Sequence, residues 1–417
     1  MKGAATPRRT NCDYRNAAPR TGGFSLIELM IAMVLGLLVA EGIYVLFAAA
    51  GKVNTTQTAL ARMQESGRIA IDLIAGDLRA AGHLPCGSKT SAWVFTDTLS
   101  RHISGQPAAA HAPAGLASGI PYPLDRSVFL GGSSCAADTC SPALAGVPQP
   151  GLGVGNRVPG TDALTVRRLQ GDGLPADGAH QVCGSDGSIT TINVRRPPGD
   201  IILDGLKSSH LALLAGCTQA QIFQVAPQGD AVLPVQGGLG TPKCSATDAQ
   251  TQLFDLDAQL QTLVYYLQLV EDERKPGREI AVLMRRTNGV ASEIVQGVER
   301  MDLHYSLTDA AGNAHWLNAD ELSRHAAVDG EALQCGQSGA FRQCAWKDVD
   351  AVEISLLLNS VDDLPAENSV DAWDYRYSMD GDRPQRPGAA MPVTGLSPGR
   401  MLRYEFRTVV SLRDLAK

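Results

Sequence analysis

The sequence predicts an α+β protein, in which one long N-terminal helix packs on an antiparallel β-sheet domain with long loops. An almost uninterrupted apolar run extends from Phe24 to Ala50, and an amphipathic helical pattern continues from it to about residue 82. The second half of the chain contains several short alternating or apolar segments that are typical of strands. A helix followed by a series of strands is the element order of the α+β class.

Residues 1–23 form a polar leader of net charge +4, with five basic residues and one acid. The apolar run that follows contains only two charged residues, Glu28 and Glu41. At 1.5 Å per residue, residues 24–50 form about 40 Å of helix, which is enough to cross a hydrocarbon layer of about 30 Å. Because positive flanks remain cytoplasmic, the leader is expected inside and the chain after Ala50 outside the inner membrane.

The order of the leader and the apolar run is unusual for an exported protein. A secretory signal peptide has its small-residue cleavage site after the apolar region, so the apolar region is discarded. Here the small residues, Gly22 and Gly23, precede the apolar region. Cleavage after Gly23 would make Phe24 the new N-terminus and retain the apolar helix. The alternative is an ordinary signal anchor with a stray Glu28 near its cytoplasmic end.

The string from Gly23 to Met30, GFSLIELM, closely resembles the processing site of type IV prepilins. The resemblance implies that a prepilin peptidase cuts between Gly23 and Phe24 and that Phe24 becomes N-methylated. It also implies that Glu28 pairs with the freed α-amine of a neighbouring subunit. Glu41 has no counterpart in that resemblance, and it is expected either to face a protein neighbour or to lie at the outer headgroup boundary.

The helix is expected to span residues 24–82 and to bury one stripe beyond the membrane segment. The predicted stripe consists of Leu60, Met63, Ile71, Ile74 and Leu78. Gly82 and Pro85 should end the helix. Two separate helices with a break near Gly51 are the alternative, because a glycine costs about 1 kcal/mol in a helix interior.

Residues 83–417 are expected to form a β-rich globular domain with a loop-rich insertion at about 87–160, where Ala, Gly, Pro and Ser dominate. The segments on either side of the charged turn at 271–277 predict a hairpin. The predicted strands are 163–166, 221–225, 263–267, 280–284, 302–305, 351–358 and 402–412.

Three C-terminal segments resemble, in the same order, segments of PilW-type minor pilins: 293–305, 349–358 and 400–415. The resemblance implies a minor pilin that takes part in type IV pilus assembly or initiation, with a place at the pilus tip as one option. It implies other minor pilins, the major pilin and prepilin peptidase as partners. It also implies a single-pass inner-membrane location with a periplasmic C-terminal domain.

Two alternatives to a minor pilin remain open. A type II secretion minor pseudopilin would share the same build. A membrane-anchored periplasmic enzyme or receptor would instead use residues 87–260, which resemble nothing in the family.

The chain has nine cysteines, of which Cys12 lies in the leader. The even number beyond the membrane segment is typical of disulfides in an oxidising compartment. The expected pairs are Cys135 with Cys140 and Cys335 with Cys344. The pairing of the other four is left open: Cys86, Cys183, Cys217 and Cys244.

The sequence predicts no catalytic residue, cofactor or metal, and therefore a non-enzymatic role. It contains no C-x-x-C or H-E-x-x-H motif, and the Gly-rich run at 151–155 lacks the lysine of a phosphate loop. Removing a leader of net charge +4 from a chain of net charge −7 leaves −11. Such an acidic chain is not expected to bind nucleic acid.

Overall fold

The computed structural model describes residues 23–82, 130–136, 138–142, 144, 146–176, 180–194, 205–208, 210–216, 220–235, 242–244, 251–308, 312–324, 327–328, 331–332, 346, 349–364, 374–381 and 400–412. The chain divides into two compact units, Met1–Thr56 and Gln57–Lys417. Helix α1 spans Leu26–Arg79, close to the predicted bounds, and Gly51 lies inside it. Among the described residues of the second unit, two short helices have defined bounds, α2 (Leu256–Gln259) and α3 (Ala319–Arg324).

Nineteen strands are described. The first ten are β1 (Leu130–Cys135), β2 (Cys140–Ser141), β3 (Ala163–Leu169), β4 (Leu174–Pro175), β5 (Gln181–Cys183), β6 (Ile189–Asn193), β7 (Leu211–Ala215), β8 (Ala220–Gln228), β9 (Ala231–Pro234) and β10 (Gln252–Asp255). The others are β11 (Leu260–Glu271), β12 (Glu279–Thr287), β13 (Val290–Gln296), β14 (Val298–Thr308), β15 (Ala314–Leu317), β16 (Ala327–Val328), β17 (Glu331–Ala332), β18 (Val349–Asn359) and β19 (Arg403–Ser411).

The strands form three main sheets whose paired strands are antiparallel. A six-stranded sheet has the order β13-β12-β11-β3-β1-β2, a seven-stranded sheet the order β4-β10-β7-β8-β9-β6-β5, and a four-stranded sheet the order β15-β14-β18-β19. Strands β16 and β17 pair with each other. The α+β class predicted from the sequence is confirmed, and the predicted hairpin is the pair β11 and β12.

The seven-stranded sheet is formed by a chain segment inserted between two neighbouring strands of the six-stranded sheet. Strands β3 and β11 are hydrogen-bonded neighbours, with Leu169 opposite Leu260, yet strands β4 to β10 lie between them in sequence. On β7, Leu213 belongs to the main core of the second unit, whereas Ala212 and Leu214 belong to a separate core on the other face. This sheet therefore covers the main core with one face and builds its own core on the other.

The sequence did not predict most strands of the seven-stranded sheet. In this sheet it indicated only residues 221–225. Six of the seven strands have between two and five residues, and turns separate several of them. Such short segments show little periodicity, and tertiary packing decides their structure. The predicted loop-rich segment at 87–160 lies largely outside the described residues, and its described end contains β1 and β2.

In the second unit, α1 buries a narrow face made mainly of small residues. Met63, Ile74 and Leu78 of the predicted stripe are buried, but Leu60 is 37% exposed, so its prediction was wrong. The face instead runs through Ala59, Met63, Gly67, Ala70, Ile74, Ala75, Asp77 and Leu78. Because a Cβ at Gly67 would lie 2.5 Å from the ring of Phe406, close packing of β19 on the helix selects small residues there.

Two disulfides lie in the described part of the chain. Cys135 and Cys140 join β1 to β2, and Cys183 joins Cys244 within the inserted sheet region. The first is a pair expected from the sequence, whereas the second had been left open. The expected pair Cys335 and Cys344 lies outside the described residues, as do Cys86 and Cys217.

A buried carboxylate joins the helix to the six-stranded sheet. Asp77 is 3% exposed, and its oxygens lie 2.8 Å from Arg168 Nη1 and 3.0 Å from Arg285 Nη2. The hydroxyl of Tyr265 donates a hydrogen bond to Asp77 Oδ2. Burial, together with this bond to the carboxylate, raises the pKa of Tyr265 well above its usual value. One side chain of α1 therefore contacts β3, β11 and β12 together.

A second buried carboxylate, Asp162, lies between the start of β3 and two other strands. Its oxygens accept hydrogen bonds from the backbone N–H groups of Cys135 (3.1 Å) and Leu303 (2.9 Å). Burial raises the pKa of Asp162 to about 7, and the nearby charge of Asp302 adds to the rise. The carboxyl group thus links β1 to β14. Because it is buried, it titrates close to neutral pH.

Replacing Asp77 by alanine should strongly destabilise the protein, because Arg168 and Arg285 would lose their shared partner. Breaking a buried ion pair from one side costs about 3–5 kcal/mol, and the lower end is expected here since both guanidinium groups retain some exposure. Urea unfolding of the full chain in detergent, followed by tryptophan fluorescence, measures the change. The matched control is Asp72→Ala, which removes an exposed i,i+4 pair with Arg68 and should cost less than about 0.5 kcal/mol. Equal losses in both variants would contradict a bridging role for Asp77.

Asp162 should make stability fall as the pH rises from about 4 to about 7. The unfolded chain releases this proton near pH 4, whereas the folded protein holds it to about pH 7. The folded state therefore binds more protons between these values, and the slope approaches about −1.4 kcal/mol per pH unit. Asp162→Asn mimics the neutral acid. The urea midpoint of this variant should therefore depend less on pH between about pH 4 and about pH 7 than that of the wild type. Asp138→Asn, at an exposed carboxylate, should keep the wild-type slope.

Candidate functional site

The residues predicted to take part in processing lie at the start of the first unit and are freely accessible. Gly23 is exposed, and a Cβ added to it would meet no atom within 4 Å. The side chain of Phe24 is 88% exposed. Helix α1 begins two residues later, at Leu26. The bond between Gly23 and Phe24 therefore precedes the first residue of α1.

Ser25 and Glu28 form a capping box at the start of α1. The Glu28 carboxylate accepts the backbone N–H of Ser25 at 3.0 Å, and the Ser25 hydroxyl accepts the N–H of Ile27 at 3.4 Å. The first N–H groups of a helix have no partner within the helix, and a Ser-x-x-Glu sequence satisfies two of them reciprocally. Glu28 thus has a local partner in addition to the subunit amine that the resemblance implies.

The apolar residues of the first unit are exposed on every side of the helix. No residue in the most apolar window of α1 is buried, which distinguishes it from a core helix of a soluble protein. By length and composition, α1 can cross a membrane. These features are consistent with a membrane anchor.

The apolar segment ends in a polar part of the same helix. Lys52 follows Gly51, and the hydroxyls of Thr55 and Thr56 donate to the carbonyl oxygens of Gly51 (2.9 Å) and Lys52 (3.1 Å). Glu41 is exposed within the apolar segment. Both positions proposed for Glu41, against a protein neighbour or at the headgroup boundary, remain compatible with this exposure.

Two of the C-terminal segments singled out in the sequence, 293–305 and 400–415, are joined by one buried ion pair, and the residue that follows the third segment completes the contact. Glu299 is fully buried and accepts hydrogen bonds from Arg403 Nε (2.7 Å) and Nη2 (3.0 Å). The Asn359 amide donates to the same carboxylate at 2.6 Å. These residues come from β14, from the end of β18 and from the start of β19. The ion pair therefore fixes the relative positions of the three segments.

Gly297, just before β14, is required by the same arrangement. Its φ angle is +84°, and a Cβ there would lie 2.8 Å from the Asn359 Oδ1 and from the Val361 side chain. Its N–H donates to Ala281, and its carbonyl accepts the N–H of Asn359. The Gly-Val-Glu string at 297–299 thus reflects a tight turn followed by a buried charge.

The Gly-rich run at 151–155 lies in a turn region beside β11, where Gly155 N–H donates to the carbonyl of Leu269. Among the described residues, His210, Asp255 and Asp257 form a three-member group with metal-ligating side chains. The sequence did not predict this group, because His210 is far from the two aspartates along the chain.

Comparison with known protein families identifies two regions of the chain. Residues 19–40 match the prokaryotic N-terminal methylation motif, which covers Gly23, Phe24 and Glu28. Residues 264–414 match the model of type IV pilus-assembly protein W. No curated protein and no solved structure matches the chain.

The two matches cover two separate parts of the described structure. The methylation motif lies on the capped, exposed start of α1, and the second match covers β12, β13, β14, β18 and β19 with the Glu299–Arg403 ion pair. The inserted seven-stranded sheet lies outside both matches. The resemblance to prepilins and to PilW proteins is confirmed over these two regions.

Proposed function

We propose that the protein is a minor pilin that takes part in the assembly or initiation of type IV pili. The observation that carries the proposal is the presence, on one chain, of a prepilin-type N-terminus and a region matching type IV pilus-assembly protein W. Its role is to join other pilins through helix packing, without catalysis. Its partners are other minor pilins, the major pilin and prepilin peptidase.

The exposed apolar helix supports this role physically. Large side chains such as Leu37, Leu46 and Phe47 are 69–75% exposed in the isolated chain. Burying one such side chain contributes about 1.5–3 kcal/mol. Before assembly the inner membrane covers this surface, with the C-terminal domain in the periplasm, and in the pilus the helices of neighbouring subunits cover it.

Processing should depend on the small residue before the cleaved bond. Gly23→Leu places a branched side chain where the exposed glycine now stands, and it should leave the leader on most of the protein. Mass spectrometry of the membrane-extracted chain should find wild type beginning at N-methylated Phe24 and the variant beginning at Met1. Gly36→Leu, at a glycine inside the apolar helix that also has no neighbour within 4 Å, is the control and should be processed normally. A wild-type chain that begins at Met1, or after residue 50, would refute the proposed processing.

A substitution at Glu28 can distinguish its role in capping the helix from a role in assembly. Glu28→Gln retains an oxygen that can accept the Ser25 N–H, but it removes the charge that would pair with an amine. We expect this variant to insert and to be cleaved, and yet to reduce piliation at least about tenfold, which corresponds to about 1.4 kcal/mol of lost association energy. Glu41→Gln removes the other acid of the segment and is the control. Pili are counted by electron microscopy in a strain that lacks its own copy.

The outcomes distinguish the proposed function from its alternatives. Normal piliation in the deletion strain, with loss of a secreted enzyme, would favour a type II secretion pseudopilin. Normal piliation and secretion would leave a membrane-anchored enzyme or receptor as the better hypothesis. Wild-type piliation of Glu28→Gln, together with a loss in Glu28→Ala, would assign Glu28 to capping alone.

A further inference from the structure

Three metal-ligating side chains converge at one end of the inserted sheet. His210 immediately precedes β7, Asp255 is the last residue of β10, and Asp257 lies two residues later in α2. One donor atom from each lies within 4.8 Å of the other two. His210 Nδ1 is already 3.1 Å from Asp255 Oδ2.

The group concentrates negative charge in a largely buried place. The side chain of Asp255 is fully buried, that of His210 is 17% exposed, and Asp257 is half-buried. Within the described chain, neither aspartate forms an ion pair with a lysine or an arginine. Two neighbouring carboxylates in a medium of low dielectric constant repel each other, and a single imidazole offsets this repulsion at most in part. The charge therefore favours a bound cation.

Backbone N–H groups hold one oxygen of each carboxylate, and the other oxygen of Asp255 faces His210 Nδ1. Asp255 Oδ1 accepts the N–H of Asp257 at 3.0 Å, and Asp257 Oδ2 accepts the N–H of Leu211 at 2.8 Å. Hydrogen bonds of this kind orient metal ligands in protein sites. Asp255 Oδ2, Asp257 Oδ1 and one imidazole nitrogen then form a set of one nitrogen and two oxygens.

We propose that His210, Asp255 and Asp257 bind a Zn²⁺ ion, with solvent completing the coordination. Zinc accepts imidazole nitrogen and carboxylate oxygen at about 2.0–2.2 Å, whereas calcium requires six to eight oxygen ligands. The ion connects the start of β7 with the end of β10, next to the point where α2 leads into β11. It thereby clamps the inserted sheet where the chain returns to the six-stranded sheet.

The test measures zinc binding by the full-length chain, purified in detergent without a histidine tag and stripped with a chelator. Equilibrium dialysis against ZnCl₂, followed by elemental analysis, should find one zinc ion that depends on this group. His210→Gln and Asp257→Asn should each weaken its binding at least about tenfold. Zinc should also raise the urea midpoint of the wild type, because it binds the folded state.

The control is Asp172→Asn, which removes an exposed carboxylate beside β4 and should bind zinc as the wild type does. The Asp257→Asn variant keeps an amide oxygen that can accept the Leu211 N–H, and circular dichroism of the metal-free variants checks that they are folded. The proposal is overturned if the wild type binds no zinc, if it binds calcium in preference, or if both variants retain wild-type affinity. Because piliation is not measured, these outcomes are independent of the proposed function.

Discussion

The buried carboxylate of Asp77 is the constraint on which the packing of the second unit depends. It lies on the helix face that is otherwise made of small and apolar residues, and it meets two arginines and a tyrosine from three neighbouring strands. A buried charge is tolerated only where its partners are in place, so rotating the helix or shifting the strand register would leave an uncompensated ion. Apolar contacts alone allow such shifts at a lower cost. Asp77 therefore specifies one arrangement of α1 on the six-stranded sheet.

The Glu299–Arg403 pair plays the corresponding role in the four-stranded sheet. The pair is bidentate and fully buried, and Asn359 satisfies a further acceptor position of the carboxylate. Glu299 and Arg403 lie in two of the C-terminal segments that stood out in the sequence, and Asn359 directly follows the third, 349–358. The sequence predicted most of β18 and β19 because these strands are long and well patterned, but it predicted only residues 302–305 of β14. It could not predict that a buried charge joins them, since the partners are 60 and 104 residues from Glu299.

The same limit explains what else the sequence did not reveal. The order of leader and apolar run, the helix and the main hairpin are local patterns, and local patterns can be read from one chain. Asp77 carries an ordinary acidic side chain in an amphipathic helix, and its partners Arg168, Tyr265 and Arg285 become meaningful only when β3, β11 and β12 lie side by side. The Leu60 error has a related cause, because Gly67 and the ring of Phe406 determine which helix face the sheet can approach. The short strands of the inserted sheet become ordered only through their neighbours.

The N-terminal segment of α1 differs from the second unit, because its apolar side chains are not buried within the described chain. Its side chains are exposed in the isolated chain, and two backbone N–H groups at its start, those of Ser25 and Ile27, have side-chain partners in Glu28 and Ser25. In lipid, every unsatisfied backbone N–H costs several kcal/mol, so the capping box makes the first turn compatible with an apolar environment. The charge of Glu28 is not neutralised by that bond, and a carboxylate in an apolar medium gains most from a cationic partner. If the chain is processed as proposed, cleavage would create an α-amine at Phe24 that could supply such a cation, and the residue that caps the helix would then also align one subunit with the next.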